Sequence, residues 1–266
     1  MQFIKLKYPI LAAAIILLAG SSCQKVIDLK LDSAATQIVI EGNITNVRGP
    51  QFVTVSQSVP FTNSNTFPPV SGAMVTITDN KGNIYKLIEG PAGTYVINNL
   101  LGKSGTTYTL TVQVNGNTYT ASSNMPATVF FQPLSYTDDA FKKNSKLITI
   151  HYQDPANTPN QYRFIMNVNG IQVKSIFDTD DTFTDGASVD IDLYQNDFKI
   201  KTGDNVTVEE QCIDRNVFNY WFSLSQQQDS GAGGGTTPSN PPSNLSNNAL
   251  GYFSAHTTFV QGIVIP

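Results

Sequence analysis

The segment Tyr108-Thr109-Leu110-Thr111-Val112-Gln113-Val114 puts its apolar side chains on one side of an extended chain and its polar ones on the other, and Asn115-Gly116 follows at once. A period of two is the strand period, and Asn-Gly accepts positive φ at both positions of a two-residue turn. Asn117 to Ala121 is therefore expected to return as the second strand of a hairpin. The same alternation recurs along the chain. Ile38-Val39-Ile40-Glu41-Gly42 is a strong strand run, Val53 and Val55 alternate with polar neighbours, and Ala73, Val75 and Ile77 alternate with Thr76 and Thr78. The turn Asp79-Asn80-Lys81-Gly82 then leads into Ile84 to Ile88. Turn signals about a dozen residues apart, with no helical period as far as Met125, predict a β-sandwich of immunoglobulin or transthyretin type over residues 36 to 125.

Met125-Pro126-Ala127 and Pro133 interrupt this pattern, because proline cannot donate to a central ladder. A second β domain is expected over residues 126 to 266. It restarts with Ile148, Ile150 and Tyr152, continues with Tyr162, Phe164, Met166 and Val168, and turns at Asn169-Gly170. Val189, Ile191 and Leu193 alternate with Asp190 and Asp192, which places those carboxylates on the wet face. One helix is predicted over residues 215 to 228: Val217, Tyr220, Trp221 and Leu224 form an apolar stripe, and Asp214 stands where a cap belongs. Gly231 to Ser243 has little to bury and reads as a flexible surface loop. Strand-like runs Ala249 to His256 and Thr258 to Ile265 close the chain. The fold class is thus all-β, two β-sandwich-like domains with one short helix in the C-terminal one.

Ahead of the first strand, Lys5 and Lys7 precede the apolar run Ile10 to Ala19, then Gly20, Ser21, Ser22 and Cys23. The apolar run is too short to cross a bilayer core of about 30 Å as a helix. It has the plan of an export signal, expected to be removed with residues 1 to 22 and to leave Cys23 as the lipid-attachment residue. Residues 23 to 35 then serve as a tether. The whole chain carries 16 basic against 20 acidic side chains, and two of the basic ones, Lys5 and Lys7, fall in the signal. No cluster of Lys and Arg is available to displace counterions from phosphates, so nucleic-acid binding is set aside. Of the two cysteines, lipidation of Cys23 leaves Cys212 alone, as a buried small hydrophobe and not half of a disulfide.

The chemistry available is sparse. Zinc needs three or four converging ligands, and His151 and His256 lie in different strand runs with no paired spacing. Asp178, Asp180, Asp181 and Asp185, in Phe-Asp-Thr-Asp-Asp-Thr-Phe-Thr-Asp-Gly, are the calcium candidates, although the stretch lacks the glycine and terminal glutamate of an EF-hand loop. There is no Gly-x-Ser-x-Gly elbow, no phosphate loop, and no glutamate paired by sequence with a second carboxylate across a cleft. Glu209, Glu210 and Asp214 flank Cys212 and would raise its pKa, against a reactive thiol. Trp221 lies in the apolar stripe of the helix and reads as packing. No catalytic residue and no cofactor is predicted.

The order of motifs is itself informative. The cysteine is followed by Ile38-Val39-Ile40-Glu41-Gly42-Asn43-Ile44-Thr45, by Pro69-Val70-Ser71-Gly72-Ala73-Met74-Val75-Thr76-Ile77-Thr78-Asp79, by Gly93-Thr94-Tyr95 and by Gly105-Thr106-Thr107-Tyr108-Thr109-Leu110. The Tyr220-Trp221 helix and Leu250-Gly251-Tyr252-Phe253 complete the set. This set resembles the Bacteroidota lipoproteins labelled domain of unknown function 4249. The resemblance implies an outer-membrane lipoprotein, lipid-anchored on the periplasmic or cell-surface face, and commonly encoded beside a TonB-dependent receptor. It supplies no catalytic residues. The expected role is non-catalytic: binding to, or assembly with, such a receptor through the loops Thr62 to Pro69, Asp178 to Asp185 and Gly231 to Ser243. A surface hydrolase of glycans or peptides, and a structural or adhesive surface protein, are the alternatives.

Overall fold

The computed structural model of the chain describes residues 35–60, 66–228 and 239–266. The signal, Cys23, the tether through residue 34, and parts of two expected recognition loops (62–65 and 231–238) lie outside the described residues. In chain order the first eight strands are β1 (Ile38–Thr45), β2 (Gly49–Gln57), β3 (Met74–Asp79), β4 (Ile84–Lys86), β5 (Ile88–Glu89), β6 (Thr94–Leu100), β7 (Thr107–Val114) and β8 (Asn117–Asn124). Then come β9 (Ser135–Asp138), β10 (Lys146–Gln153), β11 (Gln161–Val168), β12 (Ile171–Gln172), β13 (Phe177–Asp180), β14 (Ser188–Asp192) and β15 (Asn205–Cys212). Helix α1 (Arg215–Gln228) and the long strand β16 (Leu250–Val264) end the chain.

Among the described residues the strands form three sheets. A nine-stranded sheet runs β12-β11-β15-β16-β1-β2-β6-β5, with β13 also on β11. A four-stranded sheet, β4-β3-β7-β8, covers one half of it, and a three-stranded sheet, β14-β10-β9, covers the other. The hairpin turns behave as their residues require: Asn115 and Gly116 take φ of 53° and 77°, Asn169 and Gly170 take 52° and 79°. The chain is an all-β, sandwich-like protein with one described helix.

Between the sheets lie two apolar cores. The first gathers Ile40, Ile44, Val53, Val75, Ile77, Leu110 and Val112, all fully buried. The second gathers Ile148, Ile150, Tyr152, Tyr162, Met166, Val206 and Val208. They part between Met125 and Val129, where Pro126 stands. The sheets do not part there. Leu245, Ala249, Phe253 and Ala255, from the far end of the chain, complete the first core, so that core is not made from residues 36–125 alone. Thr36–Pro266 is one compact unit.

The two closing strand runs expected from sequence are one strand. Over its first half β16 pairs parallel with β1, from Val39 opposite Leu250 to Thr45 opposite His256. Over its second half it pairs antiparallel with β15, from Cys212 opposite Thr257 to Asn205 opposite Val264. The run Ile84 to Ile88 does the opposite and divides. β4 pairs with β3 in the four-stranded sheet and β5 with β6 in the large one, because Leu87 between them turns into the first core.

Helix α1 spans the predicted residues. Asp214 Oδ1 accepts the N–H groups of Asn216 and Val217 at 2.9 and 3.0 Å, a helix cap, and Ser123 of β8 donates to the other oxygen. The helix lies on the outer face of the large sheet through Val217, Phe218 and Tyr220, with Tyr252 of β16 beneath. Trp221 meets Tyr252 edge-on at 5.3 Å and carries the Arg163 guanidinium 3.5 Å above its ring. It is a packing residue.

Gly251 anchors the parallel pair. Its φ is 91°, and a Cβ there would stand 2.1 Å from the Ile40 carbonyl oxygen. Gly116 has a comparable φ with open space around it. Gly251→Ala should therefore lower unfolding free energy by more than ~2 kcal/mol, against ~1 kcal/mol for Gly116→Ala, in urea titrations followed by tryptophan fluorescence. Equal losses would show that the β1–β16 junction tolerates a side chain.

Candidate functional site

The acidic stretch singled out by sequence does not act as one group. Asp178 and Asp180 lie on β13, opposite Arg163 and Gln161 of β11. Asp180 is taken by Arg215 at the start of α1, at 2.6 Å. Burial alone would raise its carboxyl, but Arg215 and Thr182 outweigh burial and hold it below the ordinary range. Asp181 and Asp185 belong to the β13–β14 connection and converge on a third carboxylate, Asp154, just after β10. One oxygen from each of Asp154, Asp181 and Asp185 falls within 4.8 Å of the other two. Asp178 and Asp180, two of the four calcium candidates, are thus replaced by Asp154.

The local backbone explains the convergence. β10 lies in the three-stranded sheet and β11 in the large one, so the Asp154–Asn160 connection crosses between sheets. The β13–β14 connection crosses back, since β13 pairs with β11 and β14 with β10. The two crossings are laced together. Asp181 Oδ2 accepts the Asn160 N–H and Asp185 Oδ1 the Asn157 N–H, each at 2.7 Å, while the Asp154 N–H donates to the Ala187 carbonyl at 2.9 Å. Asp154 is 1% exposed, and the Tyr162 hydroxyl donates to its Oδ1 at 2.6 Å. Burial raises the Asp154 carboxyl, the Tyr162 hydrogen bond opposes this, and the Asp181 charge adds to it. Among the described residues the ion pairs are Lys146–Asp138, His151–Asp190 and Arg215–Asp180, so none of the three converging carboxylates has a basic partner.

The histidines went separate ways. His256 is buried on β16, with Nδ1 2.9 Å from Ser254 Oγ, and burial with the neighbouring Arg163 charge brings it down to about 3. It is neutral. His151, on β10, stands between Ser135 of β9 (Nε2 to Oγ, 2.6 Å) and Asp190 of β14 (Nδ1 to Oδ1, 2.6 Å). The contact order is that of a serine-hydrolase triad, which the sequence could not signal because the three residues come from separate strands. The setting differs from such a site. Ser135 lies in an extended strand with Thr149 opposite, not on a sharp turn, and the Asp190 side chain is 71% exposed, where water screens its hold on the imidazole. An open groove of about 740 Å³ lies elsewhere, between Thr109, Thr120 and Ser122 of the four-stranded sheet, Asn219 of α1, and Ser243 and Leu245.

The family described as Domain of unknown function (DUF4249) matches residues 24–261. The chain belongs to that family. No curated protein sequence matches it. Solved structures similar to this DUF4249 chain include a two fibronectin type-III domain segment of chicken tenascin, 13% identical with a TM-score of 0.22, over 68% of this chain and 92% of that one. The adhesin InvE of Yersinia pseudotuberculosis is 19% identical with a TM-score of 0.22, over 66% of this chain and 55% of that one. A 1.5-MDa bacterial ice-binding adhesin is 12% identical with a TM-score of 0.21, over 87% of this chain and 64% of that one. At such scores nothing about function passes from them to the DUF4249 chain.

One further ionisable group of the DUF4249 chain is out of place. Glu210 points from β15 into the second core, 1% exposed, with neither carboxylate oxygen partnered among the described residues. Burial pushes it up to about 8. It also adds its charge to the burial that raises the Cys212 thiol to about 12, so Cys212 stays protonated. A protonated carboxyl in the fold that ionises near 4.5 when unfolded stabilises fully below pH 4.5, and that contribution is lost as pH rises from 4.5 towards about 8. Glu210→Gln should therefore flatten the stability profile across that window, where the wild type loses up to about 1.4 kcal/mol per pH unit from this group. Parallel wild-type and variant profiles from urea melts would exclude a buried acid at this position.

Proposed function

We propose that this chain is a lipid-anchored outer-membrane protein whose fused sandwiches bind or help assemble a TonB-dependent receptor without catalysing a reaction. The observation that carries the anchor is the order Lys5, Lys7, Ile10 to Ala19, Gly20-Ser21-Ser22 and Cys23. A short apolar run ending in small residues before a cysteine is a processing signal, and the thiol is the group a lipid transferase would alkylate. No helix among the described residues is long and apolar enough to cross a membrane. The receptor as partner rests on resemblance to the Bacteroidota lipoproteins of this family. An exposed aromatic supports a contact role for the acidic loop: Phe183, within it, is 97% exposed.

Cys23→Ala should move the protein from the membrane pellet to the soluble fraction, and intact mass from the native host should exceed the polypeptide mass by a diacylglyceryl group. A tail-free wild type, or a variant that stays in the pellet, overturns the anchor. Tagged protein from solubilised outer membrane should bring down a TonB-dependent receptor, and its absence there would tell against that partner.

The hydrolase reading is favoured by one observation, the Ser135–His151–Asp190 contact order. It requires that turnover of an activated ester by the wild type fall at least about 10³-fold in Ser135→Ala. On the non-catalytic reading both proteins give the same background rate.

A further inference from the structure

Several of the polar atoms that the fold buries without a partner sit on the same two connecting segments. Asp154 Oδ2, Asn160 Oδ1 and Thr184 Oγ1 have no hydrogen bond among the described residues. All three belong to the two sheet crossings that Asp181 joins: its carboxylate holds the Asn160 N–H at 2.7 Å, and its backbone carbonyl holds the Thr184 N–H at 3.0 Å. Asp154 is 1% exposed and Asn160 4%. Buried polar atoms are ordinarily satisfied, so orphaned oxygens on the two crossings that carry three converging carboxylates point to something that accepts lone pairs. Among the described residues no lysine or arginine fills that need, because none forms an ion pair with Asp154, Asp181 or Asp185.

We propose that these two crossings form a calcium site, in which Asp154, Asp181 and Asp185 supply the charge and Asn160 and Thr184 supply neutral oxygens. The donor set is oxygen only, which suits a hard cation; the cluster contains neither histidine nor thiolate, the ligands zinc favours. Calcium binds oxygens at 2.3–2.6 Å, so two ligands of one ion lie up to about 5 Å apart, and the three carboxylates fit inside that limit. Magnesium demands a tighter, near-octahedral cage. The bound ion ties the two sheets of the second sandwich together at one rim and fixes the loop that carries Phe183. The site stands apart from the membrane reading and would survive its failure.

Tyrosine-sensitised terbium luminescence tests it directly, because the Tyr162 hydroxyl touches Asp154 and places a donor ring next to the ion. The full chain, stripped with EGTA, should give saturable emission that calcium displaces, and its Tm should rise by about 5–10 °C at calcium 100-fold above Kd. Asp181→Asn should abolish both responses. Asp185→Asn changes an exposed side chain and keeps an amide oxygen to accept the Asn157 N–H, and should weaken calcium roughly 10-fold or more, while Asp180→Asn, whose partner is Arg215, should leave affinity unchanged. Emission that calcium does not displace, an Asp185→Asn protein as tight as wild type, or a Tm that magnesium alone raises equally would overturn the proposal.

Discussion

One strand holds the molecule together. On one face of β16, Phe253 and Ala255 enter the first core and Phe259 and Ile263 pack on the second, so a single pleated surface feeds both. The partner changes between His256 and Thr257, from β1 to β15, with no break in the strand. A parallel partner must be reached by a crossover, and here the crossover is almost the entire described chain. The first core lacks Phe253 and the large sheet lacks its middle until residues near 250 meet residues near 40. Pairing over such separations makes folding slow relative to a chain of local hairpins.

Burial on both faces of β16 follows from that central place. Gly251 to Thr257 are all buried: one face meets the first core, and Tyr252 on the other lies under Tyr220 and Trp221 of α1. The helix is therefore not an ornament on the second sandwich. It seals the sheet where the two sandwiches meet, and its Asp214 cap is tied through Ser123 to β8 of the first half. The Ala255 N–H donates to the same Ser123 hydroxyl at 2.8 Å. His256 is neutral for the same reason: it is buried on a central strand beside a cation, Arg163, that disfavours a second positive charge.

Local pattern reveals what is local. Asn115-Gly116 and Asn169-Gly170 announce their hairpins because positive φ is written into the residue types, and α1 shows itself through a stripe and a cap within a few residues. The division of Ile84 to Ile88 and the fusion of the last two runs were not legible. Both depend on which strand lies alongside, and alternation says only which face is apolar. Likewise Asp181 and Asp185 were visible as an acidic loop, whereas Asp154 and Asn160, in Asp-Pro-Ala-Asn-Thr-Pro-Asn, went unremarked because no ligand spacing joins them to that loop. Asp178 and Asp180 misled because adjacency in sequence is not adjacency in space: β13 carries them towards Arg163 and Arg215.

The converging carboxylates also have a cost that their position explains. Asp154 and Asp181 are 1% and 9% exposed, and their mutual repulsion in that setting is far less screened than on an open surface. A protein could avoid the repulsion with an asparagine at either place. Instead the chain spends backbone donors from Asn157 and Asn160 on Asp185 and Asp181, and a tyrosine hydroxyl on Asp154, keeping three acids aimed at one point. Those donors stabilise each carboxylate singly and do nothing for the like charges between them. A divalent cation cancels that repulsion at the rim where both crossings leave the sheets, and there the second sandwich has no shared strand to hold its two layers together.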